Sequence, residues 1–377
     1  PEELRRMDFE LDDDQRELQR TVREVLDNEC PPAYVRRIVD EGHDPADLWS
    51  TLTDLDWPAL TLDPEVGGLG MTWVEQAVVL EELGYASAPG PFLATTTQFV
   101  PAIRETGSDD ERSRFLGPVA RGEGTGTFAI DEGSGTWDPA DVVATATAEG
   151  SGWVLAGTKE FVVDGDTADE VAVALRIDGE LRLAVVPGGD LDTEPLDPID
   201  PTTRHARIHL DGVRIDGDRI LGAGDASVAL RRALEEASTA VALTTVGACQ
   251  RILDLDLGHV KERHQFGVPI GSFQAVKHKL ADMYRDVERA RALGYFAALC
   301  LTEDDPRRER AAAMAKASAG ECQRRVVQDG LQLFGGIGYT WEHDLHLYLR
   351  RAKVGDLHFG TSSRHRRHVA RLALGDS

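Results

Sequence analysis

Near the end of the chain, His358-Phe359-Gly360-Thr361-Ser362-Ser363 sets a glycine before three hydroxyl residues. Such a turn brings backbone N–H groups and hydroxyls close to an anionic or polar ligand. Phe359 can neither take nor give a proton, so an inert aromatic stands inside a turn shaped for a ligand. Other residues invite chemistry less strongly. His343 and His346 of "EHDLH" sit at i,i+3 like a metal pair, but no third ligand is evident, and histidines on a helix surface fit the pattern better. "RHRRHVAR" (364–371) could bind an anion, although a basic helix end in an acidic chain is the commoner case. Cys30, Cys249, Cys300 and Cys322 are far apart and form no CxxC pair, which reads as buried free thiols in a reducing cytoplasm.

The surroundings of these residues narrow the function. A chain of 377 residues can hold two or three domains with sizeable cores. A formal net charge of −25 repels phosphate backbones and argues against nucleic-acid binding. No apolar run reaches bilayer-spanning length and no signal-peptide core follows the charged start, so no membrane role is expected and the cytoplasm is the expected compartment. The six residues "PEELRR" before Met7 read as an extension or a tag remnant.

The periodicity changes twice. Residues 7–120 predict an N-terminal α-helical domain, with Leu18, Val22 and Leu26 at four-residue steps and Val74, Ala77, Val78 and Leu80 repeating the pattern. Residues 121–222 alternate with period two and predict a β domain, with "RIDGELR" as a hairpin turning at Asp-Gly. Residues 223–377 return to long helices, one with Val276, Leu280, Met283, Val287 and Ala290 on a single face. The order is α, then β, then an α bundle.

Two segments are specific. "KERHQFGVPIGSFQAVKHKLADM" (261–283) and "QDGLQLFGGIGYTWEHDLHLYLRRAKV" (328–354) resemble the signature segments of acyl-CoA dehydrogenases. The likeness runs from "MDFELDDDQRELQ" through "LDPEVGGLGM" and "DGVRIDGDRILG" to "HRRHVARLAL". It implies a mainly α fold: an N-terminal α domain, a central β-barrel and a C-terminal four-helix bundle, usually assembled as a tetramer. It also implies FAD as cofactor and an acyl-CoA thioester as substrate. In that family a carboxylate takes the α-proton while the β-hydride passes to the flavin, and hydrogen bonds polarise the thioester carbonyl.

Carried over by position, the resemblance gives Arg263 the pyrophosphate of a neighbouring subunit's FAD, with Gln265 and Phe266 beside it. Gln274, Gln332, Gly335 and Gly336 match further cofactor-facing positions. The ordinary readings are a surface ion pair of Arg263 with Glu262 or Asp282, and a helix C-cap at the glycines. The subunit's own flavin half-site departs from the family. Asp131-Glu132-Gly133 stand where Thr-Glu-Pro is usual, Phe161 stands for Trp and Val163 for a hydrogen-bonding Thr. His358-Phe359-Gly360-Thr361 replaces Tyr-Glu-Gly-Thr, so Phe359 occupies the position of the catalytic Glu, while Thr361 keeps its cofactor-binding place. Some members take the base from a bundle helix, which falls here at Ala237 or Ser238. Glu235 and Glu236 are adjacent, with Glu236 the alternative base, although they read first as a solvated acidic face.

The losses gather on one half-site and spare the other. That pattern resembles the base-lacking subunit of heterotetrameric (α2β2) steroid-CoA dehydrogenases, whose partner is a homologous subunit. The competing readings are a homotetrameric dehydrogenase using Glu236, a flavin monooxygenase of the same fold, and a homologue without flavin.

Overall fold

The computed structural model describes residues 11–375; the "PEELRR" segment and the start of the first helical stretch at Met7 lie outside them. Helices occupy Asp13–Glu29 (α1), Pro32–Glu41 (α2), Ala46–Asp54 (α3), Trp73–Ala86 (α4), Phe92–Ala94 (α5), Val100–Thr106 (α6) and Asp109–Ala120 (α7). After the strands come Ser227–Glu262 (α8), Gln274–Thr302 (α9), Arg308–Phe334 (α10), Leu345–Leu357 (α11) and Ser362–Leu374 (α12). Contacts divide the chain into two compact units. One takes the chain up to Val35, Thr72–Ala88 and everything from Thr239; the other takes Arg36–Met71 and Pro89–Ser238.

The first unit is helical. Asp12 and Gln15 close a capping box on α1, and Thr72 and Glu75 close one on α4. Val22 and Leu26 of α1 are buried as their spacing predicts. In α4 the single apolar face expected from sequence is exceeded: Trp73, Val74, Ala77–Leu80 and Leu83 are all buried. Its carboxylates Glu81 and Glu82 are buried too, neutralised by Arg291 and Arg23. Helices α4 and α8 touch backbone to backbone, since a Cβ at Gly84 would lie 2.1 Å from the Thr244 carbonyl oxygen and one at Gly247 1.9 Å from that of Glu81. On α9, Met283, Val287 and Ala290 are buried, while Val276 and Leu280 are only half-buried. None of the helices among the described residues is long and apolar enough to cross a membrane.

The second unit carries the strands: Gly126–Ala129 (β1), Thr145–Glu149 (β2), Gly152–Ala156 (β3), Thr158–Val163 (β4), Glu170–Ile177 (β5), Glu180–Pro187 (β6), Asp192–Leu196 (β7), His205–His209 (β8), Arg214–Asp216 (β9) and Ile220–Leu221 (β10). They form a mixed seven-stranded sheet, ordered β10-β6-β5-β2-β3-β9 with β1 also on β5, and a three-stranded sheet β4-β8-β7. A closed barrel is not formed among the described residues; the expected barrel is two separate sheets. The β5–β6 hairpin turns at Asp178-Gly179, both with positive φ, as the Asp-Gly pair predicts. Alternation on β5 gives way to near-continuous burial because strands flank it on both edges and side chains cover both faces.

Candidate functional site

The C-terminal end of α8 leads at Arg263 into a small hairpin, His264–Gln265 (β11) against Val268–Pro269 (β12). Its tip holds Phe266 at φ 53° and 93% exposed, touching Phe273 edge-on. Arg263 is exposed, and its guanidinium has no hydrogen bond or ion pair among the described residues. Asp282, the alternative ion-pair partner, is engaged by Arg285 and Arg325 instead. One turn before Arg263, His259 stacks on Phe334 at 4.4 Å, and Phe334 also meets His343. That stack ties the end of α8 to the end of α10, where Gln332 and Gly336 are exposed. Gly335 caps α10 at φ 64°, with open space where a Cβ would sit. Gln274, exposed, is the first residue of α9. His343 meets the Phe334 ring at a tilt and His346 stacks on Trp341, so neither reads as a free helix-surface histidine, and His346 is buried.

The turn at 358–363 is rigidly framed. Phe359 is 5% exposed at φ 53°, a left-handed conformation that costs a non-glycine residue about 1–2 kcal/mol. Lys316 of α10, fully buried, donates to the Asp356 carbonyl at 3.1 Å and the Gly360 carbonyl at 2.8 Å. Burial lowers the Lys316 ammonium to about 7 against the opposing pull of Asp356. Asp356 accepts from the Ser362 backbone N–H at 2.9 Å, and His365 Nε2–H donates to the Phe359 carbonyl at 2.8 Å. Burial, then the charge of Lys316, drops His365 to about 3, so it is neutral. Thr361 caps α12 through its hydroxyl and remains exposed.

In the strand-bearing unit, each position that departed from the family pattern is occupied by its own local structure. The Asp131 carboxylate collects the N–H groups of Gly133 and Gly135 and the Ser134 hydroxyl at 3.1–3.2 Å. Glu132 accepts from Val143 and Ala144 N–H and from Lys159, whose side chain has no exposed surface. Burial lowers Lys159 to about 8 despite that partner; Glu132, resisting its own partial burial, is held below the ordinary carboxylate value. Phe161 sits at φ 53° in a bulge where β4 slips register against β8 between Lys159 and Val162, and the bulge leaves it 46% exposed. Val163 is buried and apolar.

Glu236 overturns the reading of a solvated acidic face: it is 3% exposed and ion-paired with Arg104. Arg104 also lies 3.7 Å from Glu105, which holds Arg232 at 2.8 Å. A carboxylate bound to a guanidinium is poorly placed to take a proton from carbon.

Comparison with known proteins agrees with this layout. Residues 12–123 match the acyl-CoA dehydrogenase N-terminal domain, and residues 226–374 match the acyl-CoA dehydrogenase C-terminal domain. Acyl-CoA dehydrogenase IpdE2 of Mycobacterium tuberculosis is 31% identical over 338 residues, 89% of each chain. The chain belongs to the acyl-CoA dehydrogenase family. Among solved structures, a chain of the ChsE4-ChsE5 complex of M. tuberculosis superposes with a TM-score of 0.89 at 27% identity, covering 98% of this chain and 100% of that one. A chain from a variant of the Tcur3481-Tcur3483 steroid acyl-CoA dehydrogenase does so at 0.85 and 30%, covering 96% and 98%.

Family membership implies FAD, which accepts the hydride when bound. The end of α8 and α10 fits an anionic dinucleotide: an exposed guanidinium with no counter-ion among the described residues and a glycine pair open to close backbone approach. At the positions that the resemblance assigns to the ring, the Asp131 carboxylate is consumed internally and Val163 offers no donor. Sequence reading missed Lys316, His365 and Arg104. Lys316 lies in an Ala-rich helix and betrays itself only as a lone charge on an apolar face.

Proposed function

We propose that this chain is the base-lacking subunit of a heteromeric FAD-dependent acyl-CoA dehydrogenase, with a homologous base-bearing partner in an α2β2 assembly. The assembly desaturates an acyl-CoA, with a steroid side-chain thioester as the substrate class. The three segments 7–120, 121–222 and 223–377 serve as its N-terminal α, β and bundle domains. In this reading Arg263, Gln265, Phe266, Gln274, Gln332, Gly335, Gly336 and Thr361 complete a FAD site whose ring-binding half belongs to the partner.

The observation that carries the reading is Phe359: a buried, protonless side chain at the family's base position, fixed by Lys316 in a turn that cannot supply a carboxylate. Two structural neighbours, each named as a pair of chains, point the same way. Reconstitution tests it. The chain mixed with a base-bearing homologue from the same genome should oxidise acyl-CoA with an artificial electron acceptor, and the chain alone should not. Turnover by the chain alone would reject the reading in favour of a self-sufficient enzyme.

A further inference from the structure

Asp256 lies on α8 seven residues before Arg263 and has no exposed surface. Neither carboxylate oxygen has a hydrogen-bond partner among the described residues. A buried carboxyl without donors is held as the neutral acid, because nothing replaces the water its charge would lose. Its Oδ2 packs against α10 at Gly330, where an added Cβ would lie 2.7 Å from it. The charged side chain whose field reaches it is Asp329, the residue before Gly330 on α10, and Asp329 is in turn paired with Lys279 of α9. Burial and then Asp329 raise the Asp256 carboxyl to about 8. Further along α8, burial together with His343 and Arg263 holds His259 below its ordinary value, in its stack on Phe334. The seam from Asp256 through His259 therefore runs to the end of α8, just before Arg263, and to the end of α10, just before Gly335.

We propose that Asp256 is a proton-held latch between α8 and α10: protonated, it lets the helices close at Gly330, and ionised, it drives them apart and loosens the His259–Phe334 stack that joins their ends. Opening returns Asp256 to water and to a pKa near 3.9. Between that value and about 8 the closed state holds a proton that the open state has lost. Closure therefore weakens as pH rises through this window, by up to about tenfold per pH unit, and the slope vanishes above it. This latch does not depend on the flavin-sharing reading, because it can be read in the chain without cofactor.

The test is amide hydrogen exchange of the full chain at pH 5 and pH 8, wild type against Asp256→Asn, so that intrinsic exchange rates cancel at each pH. The Asn variant keeps the shape and has no charge to develop. Its protection relative to wild type in residues 256–263 and 329–336 should rise by about tenfold or more from pH 5 to pH 8, with α1 unchanged. Asp256→Leu, also uncharged, should show the same pH-independence and serves if the Asn variant does not fold. A ratio equal at both pH values would overturn the latch, and so would a rise spread evenly over the whole chain.

Discussion

Replacing Glu236 by Gln separates a structural carboxylate from a catalytic one. The substitution keeps volume and removes the charge opposite Arg104, whose side chain is 22% exposed. Glu105 remains 3.7 Å away but is already shared with Arg232. Removing one partner of a fully buried ion pair costs about 3–5 kcal/mol. Residual solvent at Arg104 and the second carboxylate reduce this to roughly 1–3 kcal/mol. For a protein of this size the melting temperature should fall by roughly 1–4 °C. Turnover of the assembled enzyme should stay within about threefold of wild type, because the proposed assembly takes its base from the other subunit. Replacing both residues, Arg104→Met with Glu236→Leu, should recover most of the stability, since an apolar pair of similar volume needs no counter-charge. The assay is a thermal melt of the complex run beside acyl-CoA oxidation. An unchanged melt with turnover down about 10²-fold or more, the loss expected for a general base, would refute the reasoning and make Glu236 catalytic.

Other outcomes follow from the same geometry. Arg263→Ala should lower the complex's FAD affinity roughly tenfold to a hundredfold, and Arg263→Lys should rescue it partly, since an ammonium lacks the forked contact; flavin release on dilution measures both. Phe359→Ala should cost stability by about 3–5 kcal/mol yet leave flavin content unchanged; if it strips the flavin while Arg263→Ala does not, the two half-sites have been assigned backwards. Lys316→Met should free the 358–361 turn to limited proteolysis. Because burial sets the Lys316 ammonium at about 7, the unfolded chain holds the extra proton above that value. Wild-type stability relative to Lys316→Met should therefore rise as pH goes from 7 to 10, as urea titrations would show.

Helix and strand order was legible because each rests on periodicity and local punctuation. The Asp178-Gly179 hairpin and the buried Val22 and Leu26 are where pattern alone placed them. That the strands would form two separate sheets rather than the expected closed barrel was not legible, because barrel closure depends on long-range register, and β4 slips its register at a bulge. Burial of charge was equally hidden. Glu236 beside Glu235 reads as a wet acidic face until Arg104, 132 residues earlier in the chain, is seen to meet it. Asp256 and Gly330 are ordinary separately; only their contact shows that the glycine makes room for an unpartnered acid. Phe359 was visible as an anomaly, but its clamp by Lys316 was not, because the 44-residue separation carries no local signature.

The central claim is that this chain completes a flavin site without owning one. Flavin absorbance per chain tests it most directly. Expressed alone, the chain should be colourless or weakly flavinylated; co-purified with its base-bearing partner, the complex should carry about one FAD per two chains. A stable yellow protein with one FAD per subunit, purified without a partner, would contradict the account.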